Sequence, residues 1–339
     1  MSVKSPLNIY GFDEALEFPF RGAMPSPDFS ETQMWNFSDG QYGLLYHIGA
    51  MPGDMDLRHN AFSINCPDGS VLAAKVVGRG IPDAFGTATA HSKTVEPYSR
   101  WRIVFDGAMR RYHPSELSAG PARDGMHVAV KITLDIVGTH SAWEPGGHTE
   151  ATVSDGIFNT MARMHHEQPV SAKGLIEIDG VQTSFEGIGH RDHSYGPRDM
   201  RRLRRDAWIN ATFESGWSFL GFWGELENDS AERSAIFADG KVIAGSMRQD
   251  ALLNSTGPEP RQFEVTVRTD DGAVRVLKVK VTQYVNWFNA GLMEWCLGAD
   301  TTEPTNYIWC MCFAEFECDG ERGRGFVDRG VQASLLTLG

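Results

Sequence analysis

Residues Gly174–Gly187, GLIEIDGVQTSFEG, decide how this chain is read. Ile176 and Ile178 alternate with polar residues before Asp179-Gly180, and Val181, Thr183 and Phe185 do so after it. Such alternation marks a half-buried strand. Asp-Gly suits a two-residue hairpin turn, because both central residues take positive φ. The stretch therefore predicts two antiparallel strands joined by a tight turn. The same dipeptide recurs at Asp39-Gly40, Asp68-Gly69, Asp106-Gly107, Asp155-Gly156, Asp239-Gly240, Asp271-Gly272 and Asp319-Gly320. Further strand-like runs surround these turns, among them SVLAAKVVG, HVAVKITLDIVG and YIWCMCFAEFEC. Regular strands with hairpin signals predict an all-β sandwich or barrel. The best helical candidate is Ser154–Gln168, with Ser154 or Asp155 able to cap its start. It is expected to bridge two barrel-like β domains, residues 1–165 and 166–339.

Composition narrows the function. Of 339 residues, 41% are hydrophobic and 11% aromatic, which suffices for a large core. The net charge of −13 argues against a nucleic-acid partner, which selects a basic face. No apolar run approaches the roughly 20 residues of a transmembrane helix. The start, MSVKSPLNIYGFDEALEF, lacks the apolar centre of a signal peptide. Five cysteines are an odd number, and in a chain this long they do not read as a disulfide framework. Cys310, Cys312 and Cys318 share one strand parity among apolar neighbours, the setting of buried core thiols. The expectation is a reduced, cytoplasmic monomer or homodimer with no membrane span.

Ionisable side chains concentrate in Gly187–Arg198, GIGHRDHSYGPR. Glycines and proline flank the cluster, so it reads as a turn between strands. Active sites often sit on such connections. Alternation along an extended backbone separates Asp192 and Ser194 from His193 and Tyr195. In the functional reading, Asp192 is a buried general acid and His193 its partner or base. Tyr195 then orients a substrate oxygen, and Arg191 and Arg198 position the substrate. In the structural reading, Asp192 caps the turn and pairs with one of those arginines. The following Arg201, Arg202, Arg204 and Arg205 read either as an anion clamp or as a solvated face. A metal site is not expected. His165-His166-Glu167 falls on the candidate helix and lacks H-x-x-x-H spacing.

The motif G-x-G-x-R-D-H-S-[WY]-G-x-R resembles that of the carotenoid 1,2-hydratase (hydroxyneurosporene synthase) and AttH-like family. The matching positions are Gly187, Gly189, Arg191, Asp192, His193, Ser194, Tyr195, Gly196 and Arg198. Tyr195 departs from the tryptophan expected there, keeping the aromatic body and adding a hydroxyl. The resemblance implies two tandem lipocalin-like antiparallel β-barrels with little helix. It also implies a hydrophobic substrate between the lobes, with hydratases and cyclases among the relatives.

Aromatic strands support such a cavity. Trp217 and Trp223 share one parity of GWSFLGFWGEL. VNWFNAGLMEWC sets Asn286, Trp287, Asn289 and Glu294 among rings, and Trp309 lies on the next strand. Two apolar faces on one strand imply an interface between lobes or a lined cavity. There is no G-x-S-x-G elbow, Walker A loop or dinucleotide fingerprint. The expected function is therefore cofactor-independent acid/base catalysis on a terpenoid, steroid or aromatic molecule: a hydratase/dehydratase, isomerase or cyclase. The alternative is a carrier or sensor of a hydrophobic small molecule.

Overall fold

The computed structural model describes residues 5–20, 26–51, 53–145, 164–291 and 294–336. The first sheet contains β1 (Phe29–Ser38), β2 (Gly43–Met51), β3 (Asp54–Asn65), β4 (Val71–Arg79), β5 (Phe85–Gly86), β6 (Ala90–Glu96), β7 (Arg100–Tyr112), β8 (Met126–Gly138), β9 (Met164–Ile178) and β10 (Val181–Pro197). Its order is β4-β3-β2-β1-β10-β9-β8-β7-β6-β5, and pairing of β4 with β7 closes eight strands into a barrel. The second contains β11 (Arg205–Phe213), β12 (Ser218–Glu225), β13 (Ser230–Ala238), β14 (Lys241–Gln249), β15 (Gln262–Thr269), β16 (Val274–Ala290), β17 (Glu294–Leu297), β18 (Tyr307–Cys318) and β19 (Glu321–Gln332). Its order is β15-β14-β13-β12-β11-β19-β18-β16-β17, closed by β15 against β16. The protein is thus all-β, built from two closed antiparallel barrels.

Turn chemistry explains part of this topology. At Asp179-Gly180, Asp239-Gly240 and Asp319-Gly320 both residues have positive φ, as a tight hairpin requires. Asp106-Gly107 is different and lies inside β7. Asp155-Gly156 lies outside the described residues. So does most of the expected helix, and its last residues, Met164–Gln168, are strand.

The expected division near residue 165 is corrected by the pairing. β9 joins β8, and β10 joins β1, so both complete the first barrel. The change of sheet falls between Pro197 and Arg205. The Arg-Asp-His motif therefore belongs to the first barrel. It is also strand rather than turn, within the seventeen residues of β10.

Burial shows where the barrels meet. β8 alternates buried and exposed residues, one face inward and one in water. β1 is buried at all ten positions, because its outer face is covered by the second barrel. Three apolar clusters result. Trp35, Phe37, Tyr46 and Phe105 fill the first barrel. Phe219, Val265, Cys310 and Cys312 fill the second. Met34, Trp208, Phe222, Trp287, Trp295 and Trp309 form the third, between the two.

Candidate active site

The pairing of β9 with β10 sets Glu167 opposite Asp192 and His165 opposite Ser194. Residues two apart share a face of a strand. His165, Glu167, His190 and Asp192 therefore project together toward the second barrel. Arg191 and His193 project the other way, into the first barrel.

The outward group is held tightly. Trp208 Nε1 donates to Glu167 Oε1 at 2.9 Å. His190 Nε2 lies 3.1 Å from Glu167 Oε2. His165 Nε2 stands 3.0 Å from Glu167 Oε1 and 3.5 Å from Asp192 Oδ2. The backbone N–H of Met34 donates to Asp192 Oδ1 at 3.2 Å. Burial works against a charged imidazole, but Glu167 and Asp192 outweigh it and hold His165 up to about 10. His165 is thus an imidazolium at neutral pH. Burial also works against the Glu167 carboxylate, yet His165 and His190 hold it below its ordinary range.

Across from this group stand two carboxyls of the second barrel, Asp206 on β11 and Asp328 on β19. Each is 5% exposed. Tyr307 Oη donates to Asp206 Oδ1 at 2.5 Å. Burial pushes Asp206 up to about 7 despite that bond. Burial pushes Asp328 well above the carboxylate range, reinforced by the charges of Asp206, Cys312 and Asp192. Asp328 Oδ1 has no hydrogen-bond partner among the described residues.

Both groups open onto one cavity of about 70 Å³ between the barrels. Asp192, His165, Arg198 and His47 line it from the first barrel, and Asp206, Asp328, Trp208 and Trp309 from the second. That volume is room for water, and well short of the about 300 Å³ at which drug-sized ligand sites begin. Trp295 closes it, stacked on His47 at 3.8 Å and on Trp309 at 4.7 Å. A wider groove of about 940 Å³ borders Phe213, Phe263 and Phe316 of the second barrel. Its rim glutamates Glu315 and Glu317 are paired with Lys280 and Lys278.

Of the residues expected from the sequence, Asp192, Arg198 and Trp309 meet at the cavity. Arg198 donates to Ser194 Oγ at 2.7 Å and Thr32 Oγ1 at 3.2 Å. Trp287 belongs to the inter-barrel cluster. Asn289, on the same parity of β16, is buried with both amide atoms lacking hydrogen bonds among the described residues.

The others are placed elsewhere, mostly by strand parity. His193 points into the first barrel, 3.7 Å from Glu31 Oε1 and edge-on to Phe85. Tyr195 shares that parity, its ring against Phe29. Arg191 is sealed in the first barrel, donating to Glu17 at 2.7 Å and Gln168 at 3.1 Å. Trp217 and Trp223 pack with the core of the second barrel. Asn286 is engaged by Ser118 Oγ and the carbonyls of Thr256 and Trp309. Glu294 is an exposed partner of Lys75. Arg201 pairs with Asp199 at the surface, the solvated reading of the arginine run.

Sequence reasoning set His165 and Glu167 aside with the metal reading, and it missed Asp206 and Asp328. The signal for the first pair was present in two i, i+2 sets, His165/Glu167 and His190/Asp192, once both segments are read as strands. Asp206 and Asp328 sit in strands whose neighbours gave no hint of shared burial.

Fold and cavity together define a bilobed β-barrel protein with a buried acid/base cluster between its lobes. The sequence profile of the family described as a domain of unknown function (DUF7064) matches residues 21–330, and the chain belongs to that family. No curated protein matches it in sequence. Solved structures of similar fold include a candidate AttH from Nitrosomonas europaea (TM-score 0.57, 12% identity, 91% of this chain and 94% of that one). CghA, solved with Sch210972, gives a TM-score of 0.54 at 11% identity, covering 91% of this chain and 90% of that one. Kievitone hydratase from Nectria haematococca gives 0.53 at 11% identity, covering 89% and 88%. At these identities the likeness is one of fold, and it spans both barrels.

Proposed function

We propose that the protein is an acid/base enzyme of the hydratase/dehydratase, isomerase or cyclase type, acting on a hydrophobic small molecule between the barrels. One observation carries the reading: an imidazolium–carboxylate pair, His165 with Asp192, opens onto an aromatic cavity between the lobes. His165 offers positive charge to a substrate oxygen, and Asp192 accepts a proton from substrate or water. Trp208 and Trp309 provide flat apolar walls. The presence of a hydratase among the proteins of similar fold supports the reading. Burying charge beside a ligand site is costly unless it is paired, and a simple carrier gains nothing from it. A ligand larger than the cavity enters by parting Trp295 from His47.

The test is native mass spectrometry of the purified protein, followed by turnover. Prenylated phenols and linear polyenes are incubated with it in ¹⁸O-labelled water, and products are examined for one ¹⁸O. Asp192→Asn is expected to keep a captured ligand and to lose turnover about 100-fold or more, the usual worth of a positioned acid or base. Equal turnover by wild type and Asp192→Asn refutes the assignment. A stoichiometric ligand that is never converted establishes the carrier instead.

A further inference from the structure

We propose that Asp328 is the proton donor of this site and that Asp206, held by Tyr307, is its positioning partner. The inference rests on the reading above only in taking the inter-barrel cavity as the place of reaction.

The argument begins with register. β11 and β19 pair Trp208 with Asp328 and Asp206 with Gly330. The two carboxyls are therefore diagonal neighbours on one face, and both line the cavity. Gly330 makes the arrangement possible. A Cβ there would collide with Asp206 Oδ1 and the ring of Tyr307.

Asp328 differs from every other acid of the cavity in its surroundings. Asp192 has an imidazolium beside it, and Asp206 has the Tyr307 hydroxyl. Asp328 is 95% buried by its 5% exposure, it lines the cavity, and its Oδ1 is buried without a hydrogen-bond partner among the described residues. The ionisable groups that line the cavity with it are Asp206, Asp192, His165, His47 and Arg198. Arg329, next in sequence, projects to the other face of β19, where it donates to the carbonyls of Ala251, Pro258 and Pro260. Of the cavity's cations, His165 is engaged by Asp192 and Glu167, and Arg198 by Ser194 and Thr32, and among the described residues no ion pair joins either to Asp328. A buried carboxyl beside other acids and without an ion-pair partner keeps its proton. Burial raises both Asp206 and Asp328, in accord with the geometry.

The cavity thus has a charged wall on the first barrel and a neutral acid on the second. Carboxyls whose environments drive them apart in this way divide acid and base roles. In the forward step the O–H bond of Asp328 breaks. Its proton bonds to an unsaturated carbon or a carbonyl oxygen of the substrate, through that atom's π or lone pair. Asp328 is left a carboxylate. The cation so formed takes up water or loses a C–H proton, and in either case one proton passes to Asp192. Transfer of that proton from Asp192 back to Asp328, through cavity water, restores the starting state with no net change in charge.

The test needs no substrate at first. Infrared spectra of the full-length protein at pH 8.5, in H₂O and D₂O, are expected to show a protonated-carboxyl C=O band that shifts on deuteration. Asp328→Asn removes it, and Asp192→Asn does not. Absence of the band in wild type, or its persistence in Asp328→Asn, overturns the proposal. If the asparagine variant does not fold, Asp328→Glu keeps an acid and must move the band and its titration midpoint; an unmoved band overturns the assignment. Tyr307→Phe is expected to retain the band but change the pH at which it disappears. With a prenylated phenol as probe, Asp328→Asn lowers kcat about 100-fold or more and leaves KM unchanged. Loss of turnover in Asp192→Asn with full turnover in Asp328→Asn sinks the proton-donor assignment alone. Full turnover in both variants sinks the functional reading as well.

Discussion

The charge on His165 makes a prediction about stability that does not depend on knowing the substrate. In the folded protein its pKa is raised from 6.5 to about 10, by Glu167 at 3.0 Å and Asp192 at 3.5 Å against the effect of burial. A group whose folded pKa is raised contributes stability that is complete below its unfolded pKa and is lost as pH rises through the folded value. The contribution is therefore whole at pH 6 and gone above about pH 10. At 1.36 kcal/mol per unit, the full displacement corresponds to about 5 kcal/mol. Glu167 carries the largest favourable share, so Glu167→Gln is expected to remove about 2–4 kcal/mol of it. Urea denaturation at intervals from pH 6 to pH 10.5 measures both proteins. Wild type should be the more stable by that amount at pH 6, and the gap should narrow steadily between pH 7 and pH 10. Asp206 acts in a lower window, since its raised pKa of about 7 removes stability as pH rises from about 4 to about 7. Subtraction of the two curves isolates the Glu167–His165 pair from it. A gap that stays constant across pH 7–10 refutes the imidazolium, and with it the electrostatic account of the first-barrel wall.

Two further outcomes follow from pairs outside the cavity. Arg191→Ala leaves Glu17 charged and unpaired inside the first barrel, so urea denaturation should register a loss of about 3–5 kcal/mol. The double variant Arg191→Met, Glu17→Gln should recover most of that loss; a double variant as unstable as the single one contradicts the ion-pair explanation. Lys75→Ala breaks an exposed bridge to Glu294, and its effect on unfolding should stay below about 1 kcal/mol.

Legibility in the sequence followed the range of the interactions. Hairpins announce themselves locally, so Asp179-Gly180 and the strands around it were readable from fourteen residues. Side-chain parity is equally local. The separation of Asp192 from His193 onto opposite faces was therefore foreseeable. Which face meets the second barrel is not local. It depends on β10 pairing with β1, about 160 positions earlier, and on a barrel built from later strands. That is why His193 and Tyr195 read as catalytic and prove to point into the first barrel. His165 was lost to a different competition. Met164–Gln168 carries helix-compatible residues, and tertiary pairing with β10 overrides that preference. Asp206 and Asp328 lie far apart in sequence, and nothing near either announces that they will be buried together.

The alternation in β10 also explains why one short motif holds both structure and site. Its inward residues fix the first barrel. Arg191 binds Glu17 of the N-terminal segment and packs over Trp101 at 4.2 Å, while His193 faces Glu31, itself bridged to Arg58 at 3.0 Å. Its outward residues, His190 and Asp192, build the charged wall. Because the two sets alternate on one backbone, the position of Asp192 is set by contacts made on the opposite face. A register slip of one residue would exchange every inward group for an outward one. A buried ion pair contributes little net stability, but leaving one of its charges without the other is costly. The Arg191–Glu17 pair is expected to help hold β10, and with it Asp192, in place against the N-terminal segment. On this argument, loss of Arg191 should disturb chemistry at a cavity that Arg191 does not line.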